Sequence, residues 1–234
     1  MINLITTSTI PQTSESYYGY KIRSYFKAYG PDYNFCRFYK CEDAVVMIYN
    51  STMVIDNSIV SDEIISFIEL ISPVSIEIRC NDGITDLNGY NKQVRQLFKF
   101  NSTDKQINNN DLKINCCLDK IFLILEEGFG IKEYDEWYVD ISHRIRHNTA
   151  NIYLYKDSVT ATMQFNEDNF AFFSHIATSA DSRGKGYARE LLYVLSGMME
   201  SQNSYAYLFA LEHRVTFYEE IGFIPVYSDI LFEK

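Results

Sequence analysis

One stretch of sequence decides the fold: residues 174–195, SHIATSADSRGKGYARELLYVL. Its pattern predicts an apolar strand, a short polar loop with two glycines and then an amphipathic helix. Arg183–Ala188 would lie where the loop joins the helix. The first backbone N–H groups of a helix have no acceptor within it, and the helix dipole is positive at the same end. This junction is therefore suited to a phosphate group.

The composition is that of an ordinary globular protein. Of the 234 residues, 47% are hydrophobic and 22% are charged, which allows one large domain or two small ones with a buried core. The net charge of −10 argues against a nucleic-acid partner, because such a partner needs a basic surface. The charge is compatible with a cationic substrate such as an amine, although acidity that only keeps a protein soluble is commoner.

Cysteine usage and hydropathy bear on the compartment and on metal binding. The five cysteines include no Cys-x-x-Cys pair, so neither a disulfide framework nor a zinc site is indicated. His143 and His147 have the spacing of a metal pair on a helix, but no third ligand is evident. No signal peptide and no run of about 18 apolar residues is found. We therefore expect a cytoplasmic protein with no metal and no membrane partner.

Hydrophobic periodicity predicts two α/β domains, residues 1–116 and residues 117–234. After a loose lead-in over residues 1–16, the first domain has a predicted helix around Tyr18–Phe26, extended runs at 35–39, 44–49 and 53–55, a helix from Ser61, a strand at 74–78 and a weak helix at 89–99. The asparagine-rich residues 101–115 are the predicted linker.

The second domain alternates helices and strands. Helices are predicted at 118–127, 133–146, from Tyr187 onward and at 212–221, with strands at 152–155, 159–165, 170–178, 205–211 and 224–232. The continuous apolar run 205–211 predicts a strand buried on both faces. Ala44–Asp56 and Ala150–Thr162 share a strand-turn-strand pattern, so the first domain could be a degenerate copy of the second. Apolar hairpins often look alike, which is the alternative.

The two glycines of the central loop have a specific physical use. Without Cβ atoms, Gly184 and Gly186 let the backbone approach a ligand closely. The successive N–H groups from Gly184 to Ala188 would then form a concavity suited to a pyrophosphate. A Gly-x-Gly sequence before a helix is common, and a plain turn is the alternative.

A second segment, Phe217-Tyr-Glu-Glu-Ile-Gly-Phe223, follows this loop along the chain. Together the two stretches resemble the GNAT superfamily of acyl-CoA-dependent N-acyltransferases. Arg183, Gly186 and Ala188 match the family's coenzyme A loop, Arg/Gln-x-x-Gly-x-Gly/Ala, and the second segment matches its Phe-Tyr-x-x-x-Gly-Phe segment. The resemblance covers roughly residues 130–234 and implies a GNAT-like mixed α/β sheet flanked by helices.

The resemblance also implies roles for individual residues. Ile176, Ala177 and Thr178 would lie on a splayed strand that receives the acetyl and pantetheine part of acetyl-CoA. Tyr218 would be the general acid that protonates the departing thiolate. The backbone amides that would hold the pyrophosphate are those of Arg183, Gly184, Lys185, Gly186, Tyr187 and Ala188.

The reaction implied by the resemblance is transfer of an acetyl group from acetyl-CoA to a primary amine by direct attack, with no covalent enzyme intermediate. Such catalysis consists of positioning two reactants and polarising a carbonyl group. The acceptor would be a small-molecule amine or a peptide amine. Two alternatives stay open: a coenzyme A-binding regulator without activity, and an acetyltransferase that acts on a protein N-terminus or a lysine.

Two positions depart from the family's pattern. Leu211 stands where the family often has an asparagine that holds the pantetheine arm, and Phe172 stands where a carboxylate base is frequent. A phenylalanine cannot accept a proton, so the general base has to be another group. The candidates are His175, Glu212, His213 and a chain of water molecules.

Overall fold

The computed structural model describes residues 1–42, 44–57, 61–78, 86–101 and 109–234. Cys80 and residues 102–108 of the predicted linker lie outside the described residues. The chain divides into two compact units, of which unit 1 is Met1–Gln96 with Tyr227–Lys234 and unit 2 is Leu97–Val226. The C-terminal segment thus belongs to the unit formed by the N-terminal residues. The domain boundary between residues 116 and 117 stays a prediction.

The helices and strands are numbered in chain order. Up to residue 114 the elements are β1 (Ile2–Leu4), α1 (Tyr17–Tyr29), β2 (Cys36–Cys41), β3 (Ala44–Tyr49), β4 (Thr52–Asp56), α2 (Asp62–Ile71), β5 (Ser75–Ile78), β6 (Asn91–Phe100) and β7 (Leu112–Ile114). From residue 118 they are α3 (Leu118–Phe129), α4 (Tyr134–Arg146), β8 (Asn151–Tyr155), β9 (Val159–Glu167), β10 (Phe170–Thr178), α5 (Tyr187–Ser201), β11 (Tyr205–Leu211), α6 (Val215–Ile221) and β12 (Phe223–Glu233).

The sheet of unit 1 has the strand order β1-β2-β3-β4-β5-β12-β6. Neighbouring strands from β1 to β4 are antiparallel, and β4 and β5 are parallel. The end of β12 pairs with β5, with Ile230 opposite Ile78 and Phe232 opposite Ile76. Phe232 is fully buried in a core that also contains residues of β3, β4 and α2. The last strand of the sequence therefore completes the core of unit 1.

A buried group of charged side chains accompanies this strand. Arg95 of β6 donates to Asp229 of β12 over 2.9 Å, and Lys21 and Tyr17 of α1 each donate to Glu77 of β5 over 2.8 Å. Burial acts to raise the pKa of Glu77, but the positive charges of Lys21 and Arg95 outweigh it and lower that pKa to about 2. Glu77 is consequently ionised inside the unit, where its partners compensate for the lost hydration.

Unit 2 contains the strand order β6-β11-β10-β9-β8-β7. Its strands are antiparallel from β7 to β10, and β10 and β11 are parallel. Helices α5 and α6 pack with the sheet in one apolar cluster, and α3 and α4 pack with β8 and Ala177 in another. The sheet is thus covered by helices that belong to two separate clusters, as the mixed α/β fold predicted from the sequence requires.

The two units share one topology. In each, four antiparallel strands are followed by a helix and then by a fifth strand parallel to the fourth: β1–β5 with α2 in unit 1, and β7–β11 with α5 in unit 2. The hairpin β3–β4 therefore corresponds to β9–β10. The sequence comparison of Ala44–Asp56 with Ala150–Thr162 matched it to β8–β9, which is wrong by one strand because adjacent apolar hairpins have the same pattern.

Four predicted elements differ from the structure. Residues 89–99 form most of β6 and no helix, because sheet pairing outweighs a weak helical pattern. The lead-in contains β1, and the asparagine-rich segment contains β7, which pairs with β8. Strand β11 is not buried on both faces, since its side chains alternate between buried and half-buried or exposed positions. The other predicted helices and strands of the described residues agree within a few residues at their ends.

Candidate active site

The loop before α5 has the backbone conformation that its glycines predict. Gly184 has a φ of +79° and Gly186 a φ of +80°, in the left-handed region that side chains disfavour. A Cβ atom built on either glycine would meet nothing within 4 Å. The space beside both residues is open, so a ligand can approach the backbone there.

The amide groups of this loop are available to a ligand. Among the described residues, none accepts a hydrogen bond from the backbone N–H groups of Gly184, Gly186, Tyr187 and Ala188. Helix α5 begins after Gly186, which has no side chain to cap these groups. Unsatisfied N–H groups at the positive end of a helix, beside open space, fit the pyrophosphate of a coenzyme A molecule.

The segment that leads into the loop is fixed by hydrogen bonds. The carboxylate of Glu127, in α3, accepts from the amide of Ala180 with both oxygens, over 3.1 and 2.9 Å. Ser158 accepts from the backbone N–H of Ser179 over 2.9 Å, and the hydroxyl groups of Ser158 and Ser182 lie 3.1 Å apart. The sequence analysis did not identify Glu127 and Ser158 as site residues, and Glu127 is there only the last residue of a predicted helix.

Strands β10 and β11 separate next to this loop. Their paired residues run from Phe170 opposite Tyr205 to Phe173 opposite Leu208, whereas β10 continues to Thr178 and β11 to Leu211. A bulge between Ser174 and Ala177 interrupts the pairing of β10 with β9 at the same level. Among the described pairs, β10 therefore has no partner in β11 along Ile176, Ala177 and Thr178, the residues that the sequence predicts on a splayed strand. Arg183 Nε donates to the Thr178 carbonyl over 3.3 Å.

Ala177 and Ile176 have different surroundings on this strand. Ala177 is buried in the cluster of α3 and α4, where a Cβ on Gly128 would come within 3.0 Å of the Ala177 Cβ. Ile176 packs against the cluster of α5 and α6. The absence of a side chain at Gly128 therefore allows the close approach of α3 to the splayed strand.

Tyr218 lies on α6 and packs against the same apolar cluster as Tyr187, Ala188 and Ile176. Its ring contacts Phe217, with 5.2 Å between centroids, and Phe223, with 5.8 Å between centroids. Burial raises the pKa of the Tyr218 hydroxyl above 10.0, an effect that Arg214 opposes. The hydroxyl therefore stays protonated at neutral pH and can donate a proton.

A cation that the sequence did not single out lies at the start of α5. Lys156, in the turn after β8, forms a 2.6 Å ion pair with Glu190 and lies 4.6 Å above the Tyr187 ring. Glu190 also accepts from the Tyr155 hydroxyl over 2.9 Å. These contacts hold the first turn of α5 against β8. In the sequence, Lys156 lies between the predicted strands 152–155 and 159–165, and the tertiary fold brings it to the start of α5.

The structure shows the surroundings of Phe172 and Leu211, the two residues that depart from the family pattern. Phe172 is buried between Phe165 and Phe209, each with ring centroids 5.5 Å away, so no proton-accepting group stands at that position. Leu211 is half-buried and begins the short turn Glu212–Arg214. Glu212 and His213 are both exposed on that turn, whereas His175 lies on the bulge of β10.

In the part of unit 1 that the structure describes, the N-terminus of the matching helix differs from that of α5. Helix α2 connects the parallel strands β4 and β5, as α5 connects β10 and β11. Its N-terminus is capped by Ser61, which accepts from Ile64, and its first turn carries Asp62 and Glu63. Two carboxylates at this helix end would repel a phosphate. The two units thus share a topology, but the N-termini of their matching helices differ in charge and in capping.

The described residues contain neither a cluster of metal ligands nor a helix that could cross a membrane. No cluster of three or more His, Cys, Asp or Glu side chains in this part of the chain has the arrangement of a metal site. No helix in this part is long and apolar enough to cross a membrane.

Comparison with known proteins identifies the family of the second half. Residues 118–223 match the family model described as the Acetyltransferase (GNAT) family. Residues 118–223 therefore form a GNAT acetyltransferase domain, the domain of an acyltransferase. The resemblance read from the loop and from the Phe217–Phe223 segment is confirmed.

Solved structures agree on the fold. A GNAT-family acetyltransferase from Colwellia psychrerythraea superposes with a TM-score of 0.56 at 11% identity, over 100% of this chain and 98% of its own. A GCN5-related N-acetyltransferase from Kribbella flavida gives a TM-score of 0.57 at 11% identity, over 85% of this chain and 89% of its own. Both units are thus matched by one GNAT structure. Curated protein sequences gave no match.

Proposed function

We propose that this protein transfers an acetyl group from acetyl-CoA to a primary amine by direct attack of the amine on the thioester. One observation carries the proposal: the amides of Gly184, Gly186, Tyr187 and Ala188 have no acceptor in the described structure, and they lie beside open space at the start of α5. The end of β10, where its pairing with β11 has stopped, leads directly into the same loop. The family assignment of residues 118–223 supports it.

Each part of the loop region has a role in this proposal. Of the six predicted backbone amides, those of Gly184, Gly186, Tyr187 and Ala188 bind the pyrophosphate. Those of Arg183 and Lys185 donate to the carbonyls of Ala180 and Ser182, over 3.2 and 3.4 Å, and so shape the loop. The splayed backbone of Ile176, Ala177 and Thr178 binds the pantetheine arm. Acetyl-CoA supplies the activated acetyl group. Since the amine attacks it directly, the chain's contribution is to orient the two reactants and to polarise the thioester carbonyl.

Tyr218 is the proposed general acid. A thiolate that leaves from the thioester has to be protonated, and a half-buried hydroxyl whose pKa lies above its ordinary value still carries its proton at neutral pH. The packing of Tyr218 with Tyr187 and Ala188 on one cluster supports this role, because it connects α6 to the first turn of α5.

We propose that the acceptor is a small amine. We also propose that the protein is cytoplasmic. The acidic net charge of −10 favours a cationic acceptor over an anionic one. Phe172 stands where the GNAT family frequently has a carboxylate base. The general base of this protein is therefore a different group.

The test is release of free coenzyme A from acetyl-CoA, measured with a panel of primary amines and, separately, with peptides that present an N-terminal amine or a lysine. We expect turnover with at least one small amine. Turnover with peptides alone would replace the proposal by protein acetylation. Tight binding of acetyl-CoA without turnover across both panels would refute the proposed reaction and favour a coenzyme A-binding regulator.

A further inference from the structure

The turn between β8 and β9 lies beside the loop that precedes α5. Val159, the first residue of β9, pairs with Thr178, the last residue of β10, so the turn and the loop meet at the same end of the sheet. Ser158 in this turn accepts from the backbone N–H of Ser179 over 2.9 Å. One part of the turn thus contacts the segment that leads into the loop.

Another residue of this turn, Lys156, reaches the first turn of α5. Its Nζ lies 2.6 Å from Oε2 of Glu190 and 4.6 Å from the centroid of the Tyr187 ring. The Tyr155 hydroxyl donates to the same oxygen of Glu190 over 2.9 Å. A short ion pair therefore stands next to Tyr187, whose backbone N–H is one of the amides proposed to bind the pyrophosphate.

The backbone of the turn fixes the position of Lys156. The φ of Lys156 is +49° and that of Asp157 is +51°, both in the left-handed region that residues with a Cβ atom seldom adopt. Two such residues in succession reverse the chain tightly between two strands. The backbone N–H of Lys156 also donates to the carbonyl of Asp111 over 3.2 Å. The lysine is thus held by its backbone as well as by its ion pair.

Glu190 is by itself an unfavourable neighbour for a phosphate group. It is the acidic residue in the first turn of α5, and helical side chains point back toward the N-terminus of their helix. Its negative charge repels an anion at the first amides of the helix. A carboxylate in this turn also interacts favourably with the positive end of the helix dipole, so it competes with a bound phosphate for the same field.

Lys156 compensates the charge of Glu190. Its hydrogen bond to Glu190 lowers the pKa of the carboxyl below the ordinary 4.5, and the same hydrogen bond raises the pKa of Lys156 above the ordinary 10.5. Both groups are consequently ionised at neutral pH, and the pair has no net charge. The amides at the start of α5 then face a neutral pair in place of an isolated carboxylate.

A second ion pair on α5 is more exposed. Arg189 lies 2.8 Å from Glu220, with side chains that are 41% and 59% exposed, whereas those of Lys156 and Glu190 are 30% and 32% exposed. Solvent and salt screen exposed charges more strongly. The charge balance of the Lys156–Glu190 pair therefore has the larger effect on a ligand at the loop.

We propose that Lys156 is a positioning residue for coenzyme A, which neutralises Glu190 at the start of α5 and thereby permits the pyrophosphate to bind there. This inference rests on the proposed function and concerns the acyl donor. It requires Lys156 and Glu190 to have opposite effects on affinity, although they form one ion pair. A pair that only holds α5 against β8 has the opposite signature, because removal of either partner breaks it.

The test is isothermal titration of coenzyme A into the unmodified protein, Lys156→Met, Glu190→Gln and the double variant. We expect Lys156→Met to weaken binding by about tenfold and Glu190→Gln to strengthen it, since each changes the local charge by one unit in opposite directions. The double variant restores a neutral site and should bind within about twofold of the unmodified protein. The difference between the two single variants should shrink as the salt concentration rises.

Lys99→Met is the matched control. Lys99 is also half-buried and lies 3.6 Å from the centroid of the Tyr205 ring, at the opposite end of β11 from the loop. Its replacement removes the same charge from unit 2 and should leave the affinity for coenzyme A unchanged. An equal loss in Lys99→Met and Lys156→Met would assign the effect to the overall charge and overturn the proposal.

The outcomes separate this inference from the proposed function. Weaker binding in both single variants, without recovery in the double variant, would show a structural role and refute the inference. A loss in Lys156→Met that the double variant retains in full would show direct contact with the phosphate and would also refute it. If the unmodified protein binds no coenzyme A, the proposed function itself fails, whereas tight binding that none of the three variants alters refutes this inference alone.

Discussion

At the scale of single residues, the glycines of the loop before α5 leave open space beside its backbone. Gly186 ends the loop with a φ of +80° and an open space where a side chain would stand. Gly197, further along α5, is also exposed with no atom within 4 Å of a built Cβ, but it lies within the helix. The pair makes a matched experiment on the proposed coenzyme A site.

Gly186→Glu should abolish measurable acetyl-CoA binding. The substitution strains a left-handed position and puts a negative charge where the pyrophosphate is proposed to bind. Gly197→Glu adds the same charge to the same helix and should leave the affinity unchanged. Isothermal titration of both variants with acetyl-CoA checks this, and an affinity that survives in Gly186→Glu would remove the loop from the proposed binding site.

Tyr218→Phe should lower kcat by about 10²–10⁴-fold, the usual contribution of a positioned acid. The ring keeps its packing against Phe217 and Phe223, so acetyl-CoA affinity should not change. Steady-state kinetics from neutral to alkaline pH provide the measurement, with Tyr193→Phe in the same cluster as the control for packing. Turnover equal to that of the unmodified protein at every pH would rule out the acid role.

At the scale of elements, the buried charges of unit 1 link α1, β5, β6 and β12. Glu77 has a pKa of about 2 in the folded protein against an ordinary value of 4.5. A lowered carboxyl pKa stabilises the fold fully above the ordinary value, and this contribution is lost as the pH falls toward the folded value. The relevant window is thus from pH 4.5 down to about 2.

Glu77→Gln should lower the free energy of unfolding at neutral pH by about 3–5 kcal/mol, since it removes one partner of a buried ion pair. The difference from the unmodified protein should shrink as the pH falls from 4.5 toward 2. Urea unfolding at a series of pH values measures it, and Glu69→Gln, at an exposed position of α2, is the control. A difference that stays constant over this window would contradict the assigned ionisation.

At the scale of the whole molecule, unit 1 combines both ends of the sequence, whereas unit 2 is the continuous segment between them. Unit 1 takes Tyr227–Lys234 from the C-terminus, and unit 2 takes Leu97–Phe100 from β6. Phe232 is fully buried in the core of unit 1, while Phe98 and Phe100 are buried in that of unit 2. Neither sequence half alone, cut between residues 116 and 117, contains every residue of its core.

Phe232→Ala should therefore destabilise unit 1 by about 3–5 kcal/mol, the usual cost of emptying a buried phenylalanine site. Hydrogen exchange followed by mass spectrometry should show faster exchange in peptides from β3, β4 and β5, which share this core. Leu231→Ala, at a neighbouring half-buried position, serves for comparison. Faster exchange limited to the last strand would argue against its part in that core.

The sequence by itself determined the elements that carry a local signal. Residues 174–195 predict a strand, a glycine loop and a helix because hydrophobic spacing and left-handed glycines act within a few residues. Together with this loop, the Phe217–Phe223 segment indicated the GNAT family. The sequence also excludes Phe172 as a base, since a phenyl ring has no atom that accepts a proton.

Tertiary structure decided what depends on contacts between distant segments. Residues 89–99 became a strand because sheet pairing outweighed a weak helical pattern, and β12 joined unit 1 through pairs with β5. The contacts from Arg144 through Gln164 to His175 join three elements, α4, β9 and β10, so no spacing in the sequence indicates them. Local propensity depends on neighbouring residues, whereas sheet partners and buried polar contacts form only when the chain folds.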